Sequence, residues 1–502
     1  MVGQPRRRPR SAAAGTAAGV AVPATAERLA QAPPAMTGSL PDRPAVPHGC
    51  LRGARMRHTY LLAAVMALAG AALGEAAPNP LAPDETSARI QKHRTAEVTL
   101  TVTGADGRPL AGAAVTVKQV RHKFLFGCNA FAVNPDDRSA EQKAYQDRFA
   151  ALMNYATLPF YWNRYERQPG ALDAPRVRQM AEWCAARGIR TKGHPLCWHQ
   201  SAPSWLAEKP LEEIERLQLG RIARDVAAFA PDRLIWTWDV VNEAVVMPGY
   251  QGGQNPVAQL CEKLGRPELV KRTFAAARAA DQKAFLILND FDTSPRFEGL
   301  VRDCLAAGTA IDAVGIQSHQ HGGYWGAARA WDVCERFARL GMPLHFTEAT
   351  ITSGELKKQI DWRGRYADWP STPEGEARQA RDAAEFYRVL FSHPAVEAIT
   401  WWDFSDARAW LGAPSGLVRK DMSPKPAYEA LMQMVKKEWW TGPLALRTDA
   451  QGKAAFRGFL GRYEAASGGA AGEFDVAAAG AARAAVALRP EGRRAPARPG
   501  GD

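Results

Sequence analysis

Two glutamates close two apolar, strand-like runs of this chain. Glu243 ends Trp238-Asp239-Val240-Val241-Asn242-Glu243, and Glu348 ends His345-Phe346-Thr347-Glu348. A pair of carboxylates facing one another suits cleavage of a glycosidic bond. One protonates the leaving oxygen, and the other attacks the anomeric carbon or activates water. A single glutamate at such a place is ordinarily a surface or ion-paired residue. The company these two keep argues otherwise. Other runs end in Pro159-Phe160-Tyr161-Trp162, Gly193-His194-Pro195-Leu196-Cys197-Trp198-His199, Asn289-Asp290-Phe291-Asp292, Gln317-Ser318-His319-Gln320-His321 and Trp401-Trp402-Asp403-Phe404-Ser405-Asp406. Aromatic and amide side chains suit a sugar ring, which has apolar faces and a rim of hydroxyls. No phosphate-binding loop or dinucleotide fingerprint competes with this reading.

The elements that must position these residues recur regularly. Short buried-type strands are expected at Lys123–Cys128, Tyr155–Pro159, Arg190–Trp198, Leu234–Val241, Phe285–Asp290, Ala313–Ser318, Leu344–Thr347 and Ala398–Asp403, with helical stretches between them. Val177, Met180, Ala181 and Cys184 share one helix face, and Gly188 follows as a stop. Eight such alternations predict an α/β fold, a (β/α)8 TIM barrel, in which chemistry gathers where strands pass into the following loops. Small β elements flank the barrel. On one side Val98, Leu100 and Val102 alternate with Thr before an Asp106-Gly107 turn; on the other Trp440–Tyr463 holds two short runs, and the two elements are expected to pair.

The chain has 502 residues and a net charge of +12. Met1–His58 holds nine Arg against two acids, and Ala477–Asp502 five Arg against two, so the body is nearly neutral. A near-neutral body is not built for a phosphate backbone, and no nucleic-acid partner is expected. Met56-Arg57-His58, the apolar run Tyr60–Leu73 and the small residues before Pro78 read as an export signal, too short to span a bilayer permanently. The expected organisation is an upstream extension at 1–55, a signal at 56–77, a small β element at 78–121, the barrel at 122–436, a second β element at 437–466 and a disordered tail at 467–502. Export, to the periplasm or the medium, follows from the signal. Of the seven cysteines, six follow the signal, which leaves room for one or two bridges that spacing does not assign. Cys197, between Leu196 and Trp198, reads as a packing residue rather than a nucleophile.

With these residues in place, the chain resembles the family 10 glycoside hydrolases, the endo-1,4-β-xylanase barrels, from about Phe126 to Leu431. Gly193–His199 looks like the family's GHTLVWH. Trp238–Ala244 matches WDVVNEA, Gly315–His319 resembles GxQSH, and His345–Glu348 resembles the segment carrying the nucleophile. Thr400–Asp406 and Pro424-Lys425-Pro426-Ala427-Tyr428 resemble the closing motifs. The resemblance implies Glu243 as acid/base and Glu348 as nucleophile of a retaining double displacement. It implies that Asn242 bonds the sugar 2-hydroxyl and that Gln317 and His319 flank the nucleophile. His194, Trp198 and Trp402 would line the subsite of the reacting sugar, with Trp410 stacking on a neighbouring one. No organic cofactor and no obligatory protein partner are implied; the partner is the polysaccharide, xylan or a related β-glycan.

Three departures accompany the match. Where the family shows TENxMKW, this chain has Thr157-Leu158-Pro159-Phe160-Tyr161-Trp162, with Tyr161 at the lysine position and Arg164 as a substitute for its charge. Thr350 stands where the family has an Asp orienting the histidine, which implies a weaker His319–Glu348 coupling, and Phe291 replaces a tyrosine. The stretch 351–370, with Trp362, Tyr366 and Trp369, reads as an added wall or lid. Two alternatives remain at this level. A binding protein that has lost catalysis would fit the altered positions. His319-Gln320-His321 offers a metal-ligand pair, but metal-dependent barrel hydrolases need theirs on the first strand, and this one follows the sixth.

Overall fold

The structure is a computed structural model that describes residues 79–249 and 255–490. The expected extension at 1–55 and signal at 56–77 lie outside the described residues, as does 491–502. The strands are, in chain order, β1 (Thr95–Thr103), β2 (Ala114–His122), β3 (Leu125–Asn129), β4 (Tyr155–Pro159), β5 (Arg190–His194), β6 (Thr237–Asn242), β7 (Phe285–Asp290), β8 (Ala313–Ile316), β9 (His319–Gln320), β10 (Leu344–Ile351), β11 (Val396–Trp401), β12 (Leu444–Arg447), β13 (Lys453–Phe459), β14 (Gly461–Ser467), β15 (Ala470–Val476), β16 (Gly480–Ala487) and β17 (Arg489–Pro490).

Eight parallel strands, β3 to β8 with β10 and β11, pair side by side, and β11 closes the ring onto β3. Short β9 extends the ring alongside the end of β10. This is a (β/α)8 TIM barrel. Its strands are buried on both faces, which is why they read as unbroken apolar runs rather than alternating ones. All eight expected strands are present. The third stops at His194 instead of Trp198, because Pro195 has no N–H to continue the ladder. The helix Ala174–Ala185 buries Val177, Met180, Ala181 and Cys184, the expected face.

The two flanking β elements pair with each other, in two sheets: β13-β1-β16 and β12-β2-β14-β15-β17. Ala96, Val98, Leu100 and Val102 of β1 meet Val115 and Val117 of β2, Tyr463 of β14, Phe474 of β15 and Val486 of β16 in one core. A helix not expected from the sequence, Pro83–Arg94, leads in; it has Pro83 in its first turn, acids beside it and Lys92-His93-Arg94 at its end, as its dipole favours. Arg94 ties this collar to the barrel by donating to the Phe391 and Val396 carbonyls at 2.7 and 2.8 Å. Val396 begins β11, so the collar sits at the end of the barrel opposite the strand C-termini.

The expectation of a disordered tail from 467 onward is corrected over 467–490, which holds the last residue of β14 and all of β15, β16 and β17. The segment is Ala- and Gly-rich, with low strand propensity of its own. It is ordered because β1 supplies an edge: β16 runs parallel to it from Ala96↔Gly480 to Thr103↔Ala487. Phe474 stacks on Tyr463 with ring centroids 5.4 Å apart. Phe474→Ala is therefore expected to destabilise the protein by about 3–5 kcal/mol, read as a lowered midpoint of thermal unfolding. An unaltered midpoint would return the segment to a tail.

Among the described residues no helix is long and apolar enough to cross a membrane. The six described cysteines are all buried and free, so the bridges that the sequence permitted do not form among them.

Candidate active site

One cavity of about 820 Å³ opens at the C-terminal ends of the barrel strands. It is lined by all ten residues singled out from the sequence: Tyr161, His194, Trp198, Asn242, Glu243, Gln317, His319, Glu348, Trp402 and Trp410. Each arrives from the C-terminal half of a strand or from the segment after it.

Glu243 sits one residue past β6 with φ 57° and ψ 45°, a left-handed conformation rare for a non-glycine residue. Two contacts hold it there. The Glu243 N–H donates to the Asn289 carbonyl at 2.9 Å, and the Val245 N–H donates to Asp290 Oδ2 at 2.9 Å. Its carboxyl accepts from Trp198 Nε1 at 2.9 Å and from Gln200 Nε2 at 3.1 Å, both on Oε2. The amides of Asn242 and Gln317 approach Oε1 at 3.3 Å. Burial, and then the negative charge of Glu348, push its pKa up to about 8. The repulsion between the two carboxylates is the smaller cause.

Glu348 lies within β10. Burial alone would raise its pKa, but the field of His194, a hydrogen bond and field from His319, and the field of Lys192 outweigh it and hold the carboxyl below the ordinary range. Both oxygens are occupied: Asn289 Nδ2 donates to Oε1 at 2.8 Å, and His319 Nε2 lies 3.1 Å from Oε2. The two glutamates are thus driven in opposite directions, one kept as an acid and one as a carboxylate.

A polar chain joins them. Asn289 Nδ2 reaches Asn242 Oδ1 at 2.7 Å as well as Glu348, and Gln317 Nε2 donates to Asn242 Oδ1 at 3.1 Å. Thr347 Oγ1 fixes Asn289 by donating to its Oδ1 at 2.6 Å. Gly315 is required here, since a Cβ at that position would stand 2.5 Å from Asn289 Oδ1. Gly193 has a matching role: its Cβ would fall 2.3 Å from the ring of fully buried Trp238. Beneath the cavity, Asp239 Oδ2 takes the Lys192 ammonium at 2.7 Å and His194 Nδ1 at 2.8 Å, which leaves His194 Nε2 free to face the cavity.

Thr350 keeps the geometry that the family's Asp would give: its hydroxyl lies 2.7 Å from His319 Nδ1. A hydroxyl can donate to Nδ1, so a neutral His319 can still present Nε2–H to Glu348. The expected weakening is thus a loss of charge, not of orientation. Trp402 and Trp410 lie across the ring of His319 with centroids 5.9 and 4.6 Å away. Asp403 holds the loop carrying Trp410, accepting from the Trp410 N–H at 3.0 Å and Ser415 Oγ at 2.6 Å. Lys425 of the Pro-Lys-Pro motif is buried in an ion pair with Asp406 at 2.7 Å, so this motif braces the loop from below.

Of the three aromatics in the 351–370 stretch, only Trp362 lines the cavity. Trp369 packs with Leu411 and Ala413, with Tyr366 against them, in a small core of its own. The stretch is a packed wall. His321 is fully buried, with Trp362 and Trp410 against its ring, and among the described residues no cluster of three or more His, Cys, Asp or Glu is arranged to hold a metal ion. Burial pushes the Cys197 thiol up to about 12, in keeping with a packing role. Sequence reasoning missed Gln200 and Asn289 as partners of the glutamates. Asn289 was visible at a strand end, but its contacts join four strands and carry no local signal.

The Trp198 N–H stabilises the charged form of Glu243, so its loss raises the Glu243 pKa further. Trp198→Phe is expected to move the alkaline limb of the activity profile upward by about one pH unit. The check is kcat/KM against pH for both proteins.

A parallel barrel with two oppositely tuned carboxylates in an aromatic-lined cleft defines a glycosidase-type site. The sequence profile of glycosyl hydrolase family 10 matches residues 117–434, and the chain belongs to that family. Endo-1,4-beta-xylanase A of Caldicellulosiruptor sp. (strain Rt8B.4) is 27% identical over 280 residues, covering 52% of this chain and 39% of that protein. Endo-1,4-beta-xylanase B of Thermotoga neapolitana is 25% identical over 300 residues, covering 57% and 79% respectively. The chain spans 39–46% of the length of the first three curated relatives it matches. In fold it is similar to native xylanase 10B from Thermotoga maritima, with a TM-score of 0.52 at 22% identity, over 63% of this chain and 96% of that one. A GH10 endoxylanase from a sugarcane soil metagenome gives 0.54 at 21%, over 62% and 97%.

Proposed function

We propose that this chain is a retaining, endo-acting glycoside hydrolase that cleaves β-1,4-xylosidic bonds, with Glu243 as acid/base and Glu348 as nucleophile. The observation that carries this reading is the pair itself: two buried glutamates in one cavity, joined through Asn242 and Asn289 and tuned apart. Glu348 attacks the anomeric carbon while Glu243 gives its proton to the departing oxygen. Glu243, now ionised, then takes a proton from water as that water displaces Glu348, which restores the starting state. The amides of Asn242 and Gln317 lie beside Glu243, with Asn289 linking Asn242 to Glu348, where a sugar hydroxyl next to the reacting carbon would meet them. Tyr161, ringed by His194, Trp198 and Phe131 at 5.4, 5.8 and 5.8 Å, offers the sugar a face where the family has a lysine. We also propose export, resting on the residues around Met56.

The test is a panel of β-1,4-linked polysaccharides with product analysis by chromatography and NMR. Xylan released as oligosaccharides whose new ends are first β supports the reading. Cleavage of another β-glycan alone moves the specificity, and α products overturn the double displacement.

A further inference from the structure

Four arginines line the active-site cavity without an ion-pair partner among the described residues: Arg164, Arg329, Arg365 and Arg408. All four are exposed. Arg164 leans toward the ring of Tyr161 at 5.9 Å and Arg329 lies over that of Trp325 at 4.7 Å. Arg365 reaches only the Ala409 carbonyl at 3.5 Å, and Arg408 ends the short turn before Trp410.

Elsewhere on this surface some arginines hold a carboxylate, as Arg176 does with Asp173, Arg178 with Asp232, Arg216 with Glu213, Arg272 with Glu215 and Arg302 with Glu298, and others stand singly. What marks the cavity mouth is that four of the latter kind gather on one rim. Its acids do not balance it. Glu243 is neutral below about pH 8, Glu348 and Asp403 are buried and bonded within the site, and Glu141 is the exposed acid of the lining. The four lie beyond the ends of β4, β9, β10 and β11, Arg164 and Arg329 in the helices that follow and Arg365 and Arg408 in loops or turns, one arc of the rim, interrupted at β3 by Glu141. A neutral glycan offers these guanidiniums only hydroxyls, whereas their planar fork matches a carboxylate in charge and shape.

We propose that this arc selects a β-1,4-glycan whose backbone carries carboxylate side groups, a uronate-substituted chain, over the same backbone without charge. The inference rests on the hydrolase reading above and names its substrate class. Each exposed guanidinium–carboxylate contact is expected to raise kcat/KM by about twofold to fivefold, and salt weakens it.

The experiment compares a uronate-bearing xylan with the same polymer after reduction of its carboxyls to alcohols. The ratio of kcat/KM values is measured at low and high salt, in the wild type and in a protein carrying R164Q, R329Q, R365Q and R408Q, with circular dichroism to check folding. A ratio above one that falls toward one with salt and in the variant supports the proposal. A ratio of one or less, or one that the substitutions leave unchanged, overturns it. If neither polymer is cleaved, the hydrolase reading fails. Calorimetry of E348Q with uronyl and neutral xylo-oligosaccharides then decides this inference by itself: tighter binding of the acidic one supports it, and equal or absent binding overturns it.

Discussion

Glu348→Ala is expected to lower kcat on xylan by on the order of 10⁵ while the protein stays folded. No neighbouring group can take over. Lys192 and His194 are held by Asp239, and His319 is aligned on the carboxylate that has been removed. The space left by the side chain admits a small anion. Added azide should restore turnover of an activated aryl xylobioside and give a product of inverted, α configuration, because it attacks from the face Glu348 occupied. NMR of the azide product makes the check. A β product would assign the nucleophile elsewhere, and a variant within tenfold of wild type would remove Glu348 from the chemistry.

Glu243→Gln is expected to lower kcat on xylan by about 10²–10⁴, the usual worth of a positioned general acid. The first step should be spared for a substrate whose leaving group needs no proton, such as a dinitrophenyl glycoside, so glycosyl-enzyme accumulates and appears as a burst. The pH profile follows with its sign. Activity needs Glu348 ionised and Glu243 protonated. It is lost on the acid side below the ordinary glutamate range, because His194 and His319 depress Glu348, and on the alkaline side as Glu243 ionises near about 8. The substitution should abolish the alkaline limb and leave the acid one. Persistence of an alkaline limb near that pH would give it to another group.

The wall over the cleft bears on both outcomes. Trp362 and Trp410 face the cavity together, 5.7 Å apart, while Trp369 anchors the wall by donating to the Glu355 carbonyl at 2.9 Å. A chain threading the cleft passes beside aromatic faces braced by Asp403 and Lys425. This arrangement favours binding several sugar units at once, as internal cleavage requires.

The sequence by itself determined the barrel and its chemistry. Eight apolar runs, each ending in polar or aromatic residues, are local signals, because a strand buried on both faces must be apolar along its length and its end must carry the site. Glu243, Glu348 and seven of their companions were legible for that reason; Trp410, beyond the eighth run, was implied only by the resemblance to the family. Tertiary structure alone decided what lies between them. Asn289 joins two carboxylates through strands far apart in the chain, and Gln200 reaches Glu243 from another loop; neither pairing leaves a trace in spacing. The strands β15 and β16 were missed for a related reason. Their small residues carry little propensity, and they are ordered only by edges supplied by β1 and β14, the former nearly 400 residues away. The tuning of the two glutamates is likewise a product of the fold: one type of side chain becomes an acid in one place and a carboxylate in another, because burial acts on both but His194, His319 and Lys192 converge on only one.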